Sequence, residues 1–388
     1  MKTIKQIIKY ILFYINLNLK FSIKNLNKED FSKNILIIKN DNIGDFIIWL
    51  WEASKYKEYF KKYKISIIVN KSFYQLTKEL NLFHEVICLD NKKFNLNFFY
   101  KKNFIKKMRE KKYDKIIVPM YSRTLITETL ILHLIAKEKI GMKGDTSNLS
   151  SKLLQISDKF YTKLVDTDDI LKMELYKNLK FSNVIFNQDK KIERPCLLID
   201  DGSEKSEDNK IEITEKFCIF FMGSSVKKKC WELEKFLEIG EKLGKEYKIL
   251  LFGGKLEEKL GKKYIEKSAN KENVYNFIGK LSLVEVIEYI KKAQFIISND
   301  TFSVHLAALL NVNVICIGGG GHFGRFFPYP REVMTKSKFI TVYKKMDCYN
   351  CNWKCRYIEF FKPWRCVSKI EPKDVLKKIN EELIKRDK

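Results

Sequence analysis

From residue 34 onwards, short apolar runs alternate with longer stretches in which apolar positions recur every three to four residues, the pattern of parallel strands joined by amphipathic helices. NILIIK (34–39), KISIIV (64–69), EVICL (85–89) and DKIIVP (114–119) read as strands buried on both faces. Helices are expected between them, at 46–60, 72–81, 99–111 and 122–137. The rhythm fades over 141–210, and DDGSEKSEDNK (200–210) has the composition of an exposed linker. It resumes with FCIFFMG (217–223), YKILLFGG (247–254), VYNFIG (274–279), QFIISND (294–300) and VNVICIGGGG (312–321). Helices are expected there at 231–244, 255–268, 282–293 and 302–310.

The pattern predicts an α/β protein with two Rossmann-like, doubly wound parallel-sheet domains facing a central cleft, over 31–200 and 211–370, followed by a C-terminal helix over 371–388. A chain of 388 residues suits two domains of roughly 150 to 200 residues each. Ahead of them, Ile4, Ile7, Ile8, Ile11, Leu12, Ile15 and Leu19 fall at helical spacing within 1–30, among Lys2, Lys5, Lys9 and Lys20. The segment is too interrupted by Lys and Asn to span a bilayer and lacks a signal-peptide cleavage site. It predicts a basic amphipathic helix, either lying on an anionic membrane surface or packed on the domain.

Composition narrows the function classes. With 45% hydrophobic and 13% aromatic residues the chain is globular rather than disordered. Its 74 basic and 48 acidic residues give a net charge of +26, dominated by Lys. That excess reflects either an AT-rich coding sequence or an anionic partner. No zinc finger, helix-turn-helix or RNA-binding aromatic motif is present, so a phosphorylated lipid is favoured over nucleic acid. Nine cysteines without a cleavable signal point to a reducing, cytoplasmic compartment. Cys88, Cys196, Cys218, Cys230 and Cys316 sit in apolar stretches and read as small core residues.

In doubly wound sheets the ligand lies beyond the carboxyl ends of the strands, and three such loops carry candidate chemistry. In KNDNIGDFIIW, Gly44 permits a sharp turn and Asp45 opens a helix. In GSSVKKKCW, Gly223, Ser224 and Ser225 form a hydroxyl-bearing turn, and Lys227, Lys228 and Lys229 offer ammonium groups to a diphosphate. In SNDTFSVH, Asn299, Asp300 and Thr301 end a buried strand and can cap a helix that carries Ser303 and His305, whose N-terminus favours an anion. Each has a plainer reading: a good N-terminal helix residue, a solvated charge run and a structural histidine. The GGGG run lacks the G-x-G-x-x-G spacing, so no dinucleotide fingerprint is assigned.

Together the three stretches resemble glycosyltransferase family 9, the ADP-heptose:lipopolysaccharide heptosyltransferases of GT-B architecture. Its members carry a first-strand loop ending in Gly-Asp, a Gly/Ser/Thr loop with Lys shortly before Trp, and (N/D)-D-T-G-x-x-H. The matches are Gly44-Asp45, Ser224-Ser225 with Lys229 ahead of Trp231, and Asn299-Asp300-Thr301 with His305.

The resemblance implies an inverting, metal-independent transfer that needs no cofactor, from a nucleotide-diphosphate sugar, ADP-heptose, to a phosphorylated glycolipid acceptor, the lipopolysaccharide or lipooligosaccharide core, at the inner-membrane surface. Asp45 would be the general base. Lys229 and the helix starting at Thr301 would offset charge on the leaving diphosphate. Gly44, Ser224, Ser225, Asp300, Thr301, Ser303 and His305 match donor-binding positions, with Glu257 at the ribose and Leu281 at the base.

One position departs from the family: Phe302 stands where members have Gly. A bulky ring there would narrow the site, select another donor, or leave a silent nucleotide-sugar or glycan-binding homologue. A nucleotide-sugar epimerase shares the architecture, but its Asp, Glu and His set is not evident. Cys348, Cys351, Cys355 and Cys366 suit either a structural zinc or free thiols, and the family often carries cysteines in this C-terminal stretch.

Overall fold

The computed structural model describes residues 2–19, 31, 33–167, 173–195, 213–357 and 362–384. The chain divides into two units, Met1–Ile170 with Glu174–Asp201, and Leu171–Met173 with Gly202–Lys388. In the first, strands β1 (Asn34–Lys39), β2 (Lys64–Asn70), β3 (Glu85–Leu89), β4 (Tyr113–Val118), β5 (Ala136–Met142) and β6 (Lys163–Val165) form one sheet in the order β3-β2-β1-β4-β5-β6. Every neighbouring pair is parallel.

The second unit repeats this plan with β7 (Phe217–Phe221), β8 (Lys248–Phe252), β9 (Val274–Asn276), β10 (Phe295–Asn299), β11 (Val314–Ile317) and β12 (Phe339–Val342), ordered β12-β11-β10-β7-β8-β9 and again all parallel. In each sheet the chain winds outward from the first strand, then crosses to that strand's other side. The loops after β1 and β4, and after β7 and β10, therefore flank the switch point of each sheet.

Burial explains why the apolar runs became central strands. Ile35 to Ile38 of β1 and Ile296 to Ile297 of β10 are fully buried, because helices cover both faces of a parallel sheet. Each buried side chain of this kind contributes about 1.5–3 kcal/mol relative to exposure. The helix Ile43–Tyr59 is buried almost all round, with Phe46, Trp49, Trp51 and Tyr56 inaccessible. Its outer side is covered by the helix Glu174–Phe186, whose Phe186 ring meets Tyr56 at 5.0 Å and Tyr59 at 4.7 Å.

Several elements depart from the pattern-based expectation. The helix expected at 122–137 covers only Leu125–His133, and Ala136–Met142 is strand β5. Its first half faces solvent and its last three residues are buried, which gives AKEKIGM a charged, helix-like look. The faded stretch contains β6 and the helices Ser151–Ser157 and Glu174–Phe186. The run expected as a strand over 312–321 stops at Ile317, with its glycines in a loop, and β12 was not anticipated. The linker at 200–210 and Cys196 lie outside the described residues.

Both terminal helices pack onto their own units. The N-terminal helix Lys2–Leu17 buries Phe13 among Leu149, Leu153 and Leu154. Its buried Asn16 donates to the Thr129 hydroxyl (2.8 Å) and accepts from Lys101 (2.9 Å). Ile8, Ile11 and Ile15 of the same helix remain about half exposed. The C-terminal helix Pro372–Glu382 inserts Val375 and Ile379 into the core of the second unit.

Candidate functional site

The second unit gathers most of the candidate residues at its switch point. Trp231 is the anchor: its backbone N–H donates to Asn299 Oδ1 (2.9 Å), its indole N–H to the Ile370 carbonyl (2.8 Å), and its ring is buried. Asn299 in turn donates to the Met222 carbonyl (2.7 Å), tying the ends of β7 and β10 together. The turn Lys227–Lys229 is thereby held so that Lys229 Nζ lies 3.4 Å from Asp300 Oδ2, across 71 residues of sequence. Both side chains are largely shielded from water, at 15% and 6% exposure, which strengthens the pair beyond a surface ion pair.

Beside this pair, Thr301 is the N-cap of the helix Phe302–Leu310 but makes no side-chain capping hydrogen bond. Its hydroxyl joins those of Ser303 (2.8 Å) and Ser298 (3.4 Å) instead. Helix N–H groups and their partial positive charge thus adjoin Lys229, an arrangement whose electrostatics favour an anion.

Glu257, after β8, reaches the same loop from the other side. Its carboxylate accepts from the Gly254 N–H (2.7 Å) and lies so close to Gly223 that a Cβ there would sit 1.6 Å from Oε1. Gly223 is thus required by a close approach. Burial raises the Glu257 pKa above the ordinary carboxylate range.

In the first unit the corresponding corner is acidic. Asp45 is half-buried in the first turn of the helix Ile43–Tyr59, where the helix N-terminus favours a carboxylate. Four residues earlier stands Asp41, absent from the sequence-based candidates. Lys39 Nζ contacts its Oδ2 at 2.5 Å, while its buried Oδ1 has no hydrogen-bond partner. Burial, with help from Asp45 and Glu174 and against the pull of Lys39, raises the Asp41 carboxyl to about 7. The loop is held by Asn40, which accepts from Thr127 Oγ1 (3.1 Å) and, through its carbonyl, from Asn91 (2.9 Å). A second acid in KNDNIGD was the available sequence signal.

The family model described as glycosyltransferase family 9 (heptosyltransferase) matches residues 102–354. The chain belongs to glycosyltransferase family 9. It is a glycosyltransferase of the heptosyltransferase type. It is 24% identical over 367 residues to lipopolysaccharide heptosyltransferase 1 of Campylobacter coli, covering 89% of this chain and 98% of that relative.

Solved structures share the fold at low identity. The family 9 glycosyltransferase of Veillonella parvula superposes with a TM-score of 0.64 at 18% identity, over 92% of this chain and 98% of the other. The ADP-heptose lps heptosyltransferase II of E. coli gives 0.65 at 17%, over 90% and 98%. E. coli heptosyltransferase WaaC with ADP-2-deoxy-2-fluoro heptose gives 0.64 at 18%, over 90% and 99%.

The remaining candidates of this family 9 chain are placed as follows. Ser224 is half-buried and its hydroxyl lies 3.4 Å from the Val226 N–H, while Ser225 is exposed on the same turn. His305 is buried, with Nδ1 3.3 Å from the Tyr329 hydroxyl. Gly44 forms the first turn of its helix beside Asp45. Leu281 lies after β9, two strands from the Lys229 turn, immediately before the Ser282 cap of the helix Leu283–Lys292. Phe302, at the family's glycine position, is half-buried with its ring edge-on to Phe221 at 6.1 Å.

Of the cysteines, Cys218, Cys316 and Cys366 are buried, the other described ones are half-buried, and all described cysteines are free thiols. Cys348, Cys351, Cys355 and Cys366 line one small apolar cavity. Among the described residues no group of three or more His, Cys, Asp or Glu is arranged to hold a metal ion. No helix among the described residues is long and apolar enough to cross a membrane.

Proposed function

We propose that this family 9 enzyme transfers heptose from ADP-heptose, with inversion, to a hydroxyl of a lipopolysaccharide or lipooligosaccharide core. Asp45 takes the acceptor proton as the hydroxyl oxygen attacks the anomeric carbon. The bond to the diphosphate oxygen breaks, and the leaving ADP carries the electron pair away. Lys229 and the N-terminus of the helix Phe302–Leu310 balance the charge that appears on it.

The observation that carries this reading is the order of groups along the carboxyl edge of the second sheet. Thr301 follows β10, Lys229 follows β7, Glu257 follows β8 and Leu281 follows β9, and these strands are consecutive neighbours. At about 4.8 Å per strand step, that line spans ~14 Å. It suits a diphosphate at the switch point, a ribose at Glu257 and a base near Leu281. The named relative, a lipopolysaccharide heptosyltransferase, and the solved structure with an ADP-heptose analogue favour this donor and acceptor. Incubating the protein with ADP-, GDP- and UDP-sugars and a deacylated core acceptor tests it. ADP-heptose is expected to be consumed fastest, with one ADP released per glycosidic bond; consumption of a different nucleotide sugar would replace the donor, and no transfer from any would favour the silent homologue that Phe302 suggests.

We further infer that the N-terminal helix rests on the anionic inner-membrane surface that carries the acceptor. Its exposed Ile8, Ile11 and Ile15 support this, since they are left uncovered by the packing of Phe13 and Asn16. Replacing all three by Ser leaves the packed face intact. Flotation on phosphatidylglycerol vesicles is expected to fall severalfold, and unchanged flotation would remove the membrane role.

A further inference from the structure

The four consecutive glycines 318–321 and the segment that follows them enter none of the roles above. Around Gly319, Gly320 and Gly321 there is no room for a side chain. A Cβ on Gly319 would lie 2.5 Å from the Trp353 ring, on Gly320 2.4 Å from Tyr349, and on Gly321 2.2 Å from Trp353. The run is a backbone platform against which two aromatic rings pack.

The segment that supplies those rings is bent to reach it. Asn350, Asn352 and Trp353 adopt φ of 64°, 48° and 56°, a left-handed conformation that side chains other than Asn and Gly rarely take and that a bulky aromatic takes least readily. Backbone hydrogen bonds from Asn350 to Gly320 (2.8 Å) and from Asn352 to Gly321 (3.0 Å) hold the bend. Such local strain persists only where the surroundings enforce it, and it concentrates at functional sites.

Trp353 is held by several contacts. Its ring stacks on Trp364 at 4.7 Å and 20°, and Trp364 donates its backbone N–H to the Lys228 carbonyl (3.0 Å). Its indole N–H points to His322 Nδ1 at 3.1 Å. Indole is a donor only, so Nδ1 must accept, and the His322 proton resides on Nε2, where it donates to Asn352 Oδ1 at 2.6 Å. The Lys229 ammonium lies over the same ring, 4.2 Å from its centroid.

We propose that Trp353 is a positioning residue for Lys229, its ring and the Asp300 carboxylate gripping the ammonium from two sides so that it is presented to the donor diphosphate in one orientation. The long, flexible lysine stem otherwise samples many rotamers, whose loss on binding would weaken the donor. His322 and the glycine platform set the angle of the ring. The inference rests on the reading of Lys229 as the diphosphate contact.

A double-mutant cycle on ADP binding tests it, with calorimetric dissociation constants for the full-length wild type, Lys229→Met, Trp353→Leu and the double variant, and melting followed by circular dichroism. Lys229→Met is expected to weaken ADP at least tenfold, Trp353→Leu roughly three- to tenfold, and the double variant no more than Lys229→Met alone. Trp353→Phe, which keeps a ring face, is expected to stay within about twofold of wild type. Multiplying effects in the double variant, or wild-type affinity in Trp353→Leu, would overturn the positioning role. Unchanged affinity in Lys229→Met would instead overturn the diphosphate reading beneath it, and this proposal with it. Should Trp353→Leu fail to fold, Trp353→Met takes its place with the same expectations.

Discussion

The two units are built on one strand order, yet their switch points carry opposite chemistry. After β1 stand Asp41 and Asp45, two carboxylates within one loop, with Asp41 held at about 7 by burial and by its acidic neighbours against Lys39. After β7 and β10 stand Lys229, a helix N-terminus and three linked hydroxyls. On the proposed reading the first corner draws a proton from the acceptor hydroxyl and the second holds the donor diphosphate. A shared fold supplies the place, and the side chains at that place supply the reaction.

The largest effect that sharpens this contrast is expected from Asp45→Asn. Turnover should fall about 10²- to 10⁴-fold with the melting temperature little changed. If Asp41→Asn abolished turnover while Asp45→Asn retained it, the base would have to be reassigned to Asp41, which occupies the same loop.

The next effect concerns stability. The Asp41 carboxyl is raised from the ordinary 3.8 to about 7 in the folded state. The folded protein therefore holds this proton more tightly than the unfolded chain does. The resulting stabilisation is fully present below about pH 4 and is lost as pH rises through about 7. Between pH 5 and 8 the wild type is expected to lose on the order of a few kcal/mol from this group, and Asp41→Asn to flatten that part of the profile. Urea titrations at the two pH values measure it; a wild-type slope that survives in Asp41→Asn would place the titrating group elsewhere.

Phe302→Gly is the smallest. Loss of the edge-on contact with Phe221, plus glycine in the first helical turn, should cost about 1–2 kcal/mol in urea unfolding. ADP affinity should hold. A large gain in affinity would mean instead that the Phe302 ring narrows the donor site.

Much of this was legible before the structure. The runs NILIIK and QFIISND are apolar on both faces, and that admits little but a central parallel strand. AKEKIGM misled because its charged half is solvent-exposed at a sheet position between β4 and a three-residue neighbour, so helical and extended patterns coincide there. The glycine run looked like the end of a strand, and its meaning lay in Tyr349 and Trp353 some thirty residues away, which no local pattern encodes. The Lys229 to Asp300 pairing was foreshadowed only by motif order. The grip of Trp353 on Lys229 required knowing which ring the lysine meets.

The most direct test of the division of labour is a side-by-side ADP titration of Asp45→Asn and Lys229→Met against the wild type. Asp45→Asn is expected to bind ADP within about twofold of wild type and Lys229→Met at least tenfold more weakly, as loss of a charge-assisted contact requires. Weakened ADP binding in Asp45→Asn together with wild-type binding in Lys229→Met would contradict the account.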